Sequence, residues 1–109
     1  MTECIQVMTT TDSRENAETI ARVLVEGRLA ACVQVVGPIS STYWWQGNIE
    51  RTEEWLCLAK STERCFDELE QQIRSVHPYD VPEVLALPVT AGSAPYLAWL
   101  RRELQEDRT

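Results

Sequence analysis

Histidine is nearly absent from this chain of 109 residues: His77 stands alone, and there are only four glycines and one phenylalanine. A single imidazole excludes paired-histidine metal motifs and leaves any cysteine or serine nucleophile one possible base. The glycines, Gly27, Gly37, Gly47 and Gly92, read as caps and turns, so there is no glycine-rich phosphate loop. Cys4, Cys32, Cys57 and Cys65 show no C-x-x-C spacing. That excludes a zinc ribbon or a thioredoxin-type pair, and in a reducing compartment the four read as small buried hydrophobes. No apolar run approaches a membrane span, and Met1-Thr2-Glu3-Cys4-Ile5-Gln6 lacks the basic-then-apolar order of a secretory leader, so the expected compartment is the cytoplasm. Basic residues are the scarcer charge, 10 against 17 acidic, for a net charge of −7. The mean field repels phosphate backbones and anionic lipid and draws cations, so neither nucleic acid nor membrane is an expected partner. Without a catalytic constellation, the chain is not read as an enzyme.

Hydrophobic residues make up 44% of the chain and charged residues 25%, which suits a single folded domain over residues 1–109. Cys4 to Thr10 nearly alternates and predicts a strand. Asp12 with Glu15 has capping-box spacing, and Ala17, Ile20, Ala21, Leu24 and Val25 form one helical stripe that Gly27 ends through its freedom at positive φ. Leu29 to Val36 is apolar on both faces and predicts an interior strand. Gly37-Pro38 then breaks the ladder. Ile39 to Gln46 and Ile49 to Lys60 predict a long hairpin turning at Gly47-Asn48 in type II′ geometry, with Tyr43, Trp44, Trp45 and Trp55 near its far end. Those aromatics need a surface beyond their own domain, and a second copy of the chain is the simplest one. Ser61-Thr62 is read as the cap of a helix that buries Cys65, Phe66, Leu69, Ile73 and Val76. Pro78 and Pro82 stiffen the segment 77–83 and bias His77 and Val81 toward extended geometry. Val84 to Val89 predicts another interior strand. After Gly92-Ser93 a last helix near Pro95 buries Tyr96, Leu97, Leu100 and Leu104, with Glu106, Asp107 and Arg108 facing outward. The order β-α-β-β-α-β plus a C-terminal helix predicts an α+β, ferredoxin-like sandwich.

Three segments carry a resemblance: Arg28-Leu29-Ala30-Ala31-Cys32-Val33, then Tyr43-Trp44-Trp45-Gln46-Gly47-Asn48-Ile49-Glu50, and His77-Pro78-Tyr79-Asp80-Val81-Pro82-Glu83. With Tyr96-Leu97-Ala98-Trp99-Leu100 they resemble the CutA divalent-cation-tolerance family over essentially the whole chain. The resemblance implies a cytoplasmic homotrimer, PII-like in architecture, that answers to metal ions, with copper bound in some members. The copper-binding members have a cysteine where Met8 stands and a second histidine where Val76 stands.

The expected metal groups for copper or another divalent cation are therefore His77, Met8 and Glu83, with Glu53 and Glu54 as possible helpers. An imidazole suits copper, and a thioether suits Cu(I) but cannot replace a thiolate for Cu(II). Tyr43, Trp44, Trp45 and Trp55 are expected as trimer-interface anchors. The alternative function is a PII-like sensor or interaction protein whose inter-subunit cleft, near Cys32, Lys60 and Tyr79, takes a small molecule or a partner.

Overall fold

The computed structural model describes residues 3–104. Eight-residue β1 (Cys4–Thr11) leads into helix α1 (Arg14–Glu26). Then come two very long strands, β2 (Cys32–Trp45) and β3 (Asn48–Thr62), a single 3₁₀ turn, helix α2 (Phe66–Val76), short β4 (Leu85–Pro88) and helix α3 (Ala94–Glu103). The four strands form one antiparallel sheet in the order β2-β3-β1-β4. Strands of 14 and 15 residues are more than twice the usual length. Their hairpin stretches the molecule to 49 Å against 26 and 21 Å in the other directions.

The core lies between the sheet and α1 and α2. Ala17, Ile20, Leu24, Leu69 and Ile73 present the buried helical stripes, and Ile5, Val7, Cys57 and Ala59 cover them from the sheet. Neighbouring strand positions Val7 with Ala59, and Thr9 with Cys57, place these residues on one face. Burial pushes the Cys57 thiol up to about 11, which makes it an inert packing group, and all four cysteines are free. Thr9 stands on the same face with its hydroxyl buried and without a hydrogen-bond partner. Thr9→Val keeps the shape and removes that orphan group, so a gain of about 1 kcal/mol is expected. A shift of the denaturation midpoint to higher denaturant checks it.

Several local expectations are corrected. The α1 cap is Ser13, whose hydroxyl accepts from the Asn16 amide, while Asp12 accepts from the Asn16 side chain at 2.7 Å. Gly27 has φ −80°, and it is Arg28, at φ 59°, that takes the left-handed conformation after the helix. The Arg28 guanidinium is held there at 3.0 Å from Glu103. Gly37-Pro38, joined by a cis peptide bond, does not end a strand, because β2 runs through it with a one-residue bulge between Val36 and Ile39. The hairpin turns at Gln46-Gly47, both with positive φ, as in a type I′ turn rather than the expected type II′. Ser61 does not cap a helix, since its hydroxyl donates to the Leu29 carbonyl at 2.6 Å and ties β3 to the chain entering β2. Thr62 makes no side-chain cap bond, and α2 begins at Phe66.

The larger correction concerns the strands read as interior. Both β2 and β4 are edge strands, no residue of β2 is fully buried, and all of β4 is exposed. Val33 and Val35 of β2 still pack against the core, but Val36 is 45%, Leu85 55% and Leu87 44% exposed. Helix α3 starts at the Ser93 cap with Pro95 in its first turn, as expected. It buries Leu100 and Leu104 but leaves Tyr96 exposed at 41%. Glu106, Asp107 and Arg108 lie outside the described residues.

Candidate functional site

The segment 77–83 leaves α2 and crosses the end of β1, and His77 fixes that crossing. The residue before Pro78 is extended, with φ −84° and ψ 138°, as its position before proline requires. The His77 ring is buried, its Nε2–H donates to the Thr10 carbonyl at 2.8 Å, and its Nδ1 accepts from the Tyr79 amide at 3.1 Å. These two bonds assign the neutral Nε2–H tautomer and occupy both nitrogens. Tyr79 then packs its ring 4.8 Å from the imidazole and donates its hydroxyl to Glu54 Oε2 at 2.8 Å.

Beyond that bond lies a cleft of about 840 Å³ between the hairpin and the 77–83 segment. Tyr43, Trp45 and Tyr79 give it aromatic walls, and Glu50, Glu54, Asp80 and Glu83 give it four carboxylates. Among the described residues, no Lys, Arg or His lines it. Glu54 is only 6% exposed. Burial first, then the hydrogen bond and charge of Glu54, raise the Tyr79 hydroxyl well above the ordinary phenol range. Tyr79 is therefore a fixed donor rather than a base.

The expected residues are sorted differently from the sequence reading. Of the three metal candidates, Glu83 lines this cleft, whereas His77 and Met8 do not. Met8 sits on β1 between Leu58 of β3 and Leu85 of β4, on the sheet face turned away from the core, and its only sulfur is a thioether. Among the described residues, no group of three or more His, Cys, Asp and Glu side chains is arranged to hold a metal ion. Within the described chain His77, Met8 and Glu83 are not brought together, and both nitrogens of the imidazole are bonded to backbone groups.

The proposed cleft trio also divides. Cys32 and Lys60 are cross-strand neighbours, and the Lys60 ammonium donates to Gln6 at 2.8 Å and Gln34 at 3.0 Å. They stand six positions along β3 from Glu54, roughly 20 Å from the Tyr79 end. Nor do the four aromatic anchors share a face. Trp44 pairs with Ile49 on one side of the hairpin, while Tyr43 pairs with Glu50 on the cleft side together with Trp45. Trp55 is corrected outright: it lies beside the bulge, partly buried against the core and over Gly37, not at the hairpin tip. The sequence reading missed Glu50 and Asp80 and read Glu54 only as a minor helper. The alternation Glu50, Thr52, Glu54 opposite Tyr43 was the available signal.

Residues 5–103 match the family model for CutA1 divalent ion tolerance protein. The divalent-cation tolerance protein CutA of Thermus thermophilus is 47% identical over 95 residues, covering 87% of this chain and 92% of that protein. Protein CutA of Homo sapiens is 49% identical over 86 residues, 79% of this chain and 48% of that one, so the chain spans about half of the human protein. The crystal structure of CutA from Xylella fastidiosa superposes with a TM-score of 0.91 at 37% identity, covering 94% of this chain and 98% of that one. Sequence and fold agree: the chain belongs to the CutA1 divalent ion tolerance family.

Proposed function

We propose that this protein serves divalent-cation tolerance as a cytoplasmic homotrimer of ferredoxin-like, PII-like subunits, without a catalytic site. The carrying observation is the pair of apolar sheet edges, β2 and β4, at opposite ends of the strand order. An unpaired edge is a template for another strand, and two unlike edges on one subunit suit a closed ring in which β2 of one copy meets β4 of the next. Trp44, 72% exposed, and its partner Ile49, 64% exposed, supply the apolar anchor that such a contact needs. Four free cysteines suit a reducing compartment.

Copper is the metal the resemblance implies. Copper at His77 must displace either the Thr10 carbonyl or the Tyr79 amide, so the imidazole is a poor ligand within one subunit. The ring repeats Met8 three times on the uncovered sheet face, and soft thioethers suit Cu(I). Native mass spectrometry with Cu(I) under reducing conditions tests the whole reading. A trimer is expected, with a metal stoichiometry below one ion per subunit and at least tenfold weaker binding in Met8→Leu. Monomer alone at micromolar concentration overturns the assembly, and undiminished Cu(I) binding in Met8→Leu overturns the metal site.

A further inference from the structure

We draw no further inference here: the strongest candidate, a groove of about 310 Å³ between the end of α1, the chain entering β2 and α3, carries nothing because its Arg28 guanidinium is already paired with Glu103 and nothing in the structure shows what covers its Trp99 wall.

Discussion

Gly37→Ala is expected to destabilise the protein by about 3 kcal/mol, at the upper end for overpacking. A Cβ at this position collides with the Trp55 indole, landing on Cδ1 and within 2.7 Å of Cγ and 2.8 Å of Nε1. The obstacle is a ring held against the core with its N–H already buried and unpartnered, not the free end of a flexible chain. Either the indole or the β2 backbone must move, and the first is packed against the core while the second is tied into the ladder on both sides of the bulge. Guanidinium denaturation reads the loss directly. The double variant with Trp55→Leu provides the control, because a smaller side chain at 55 should recover much of the alanine's cost, and strict additivity would show that the collision is not its source.

His77→Ala is expected to cost a similar amount, also about 3 kcal/mol, and the cost should be the same with and without chelator. The substitution strands the Thr10 carbonyl and the Tyr79 amide, each worth about 1 kcal/mol or more when left unpaired. It also empties a buried ring-sized space. With the ring gone, Tyr79 loses the tilted ring contact at its side, so its bond to Glu54 should loosen as well. A histidine that served only a metal would leave the metal-free protein as stable as before, and that result would remove the structural role assigned here.

How far the sequence carried the reading depended on the range of the physics involved. Helical stripes such as Ile20 and Leu24, or Leu69 and Ile73, are local patterns, and they are the residues found buried. The Ser93 cap and the proline-fixed geometry at His77 are likewise set within a few residues. Apolar content, in contrast, says that a strand will be covered without saying by what. Leu85 and Leu87 are apolar on an edge that this chain alone leaves open, so an interior position was the wrong inference from a correct pattern. The lone histidine was conspicuous as a ligand type, yet its two bonds run to backbone 67 and 2 residues away, and neither partner has a side-chain signature. The cleft joins Glu54 to Tyr79 across 25 residues, a distance over which one sequence carries no pairing signal.

The bulge at Val36 to Ile39 acts as a phase shifter for the hairpin. Three steps along β2 are matched by two along β3, from Leu56 to Glu54. Before it, the even-numbered residues of β2 share the side of Leu56 and Leu58; after it, the odd-numbered ones do. That half-period offset is what sends Tyr43 to the side of Glu50 and leaves Trp44 opposite Ile49. A chain shortened by one residue between 36 and 39 would lose the bulge and keep the pairing on both sides of it, because two steps along β2 would then match the two from Leu56 to Glu54. The extra residue thus lets the register set at the Gln46-Gly47 turn coexist with the one set at Val36, so which aromatic meets which environment is encoded by a residue count as well as by residue type.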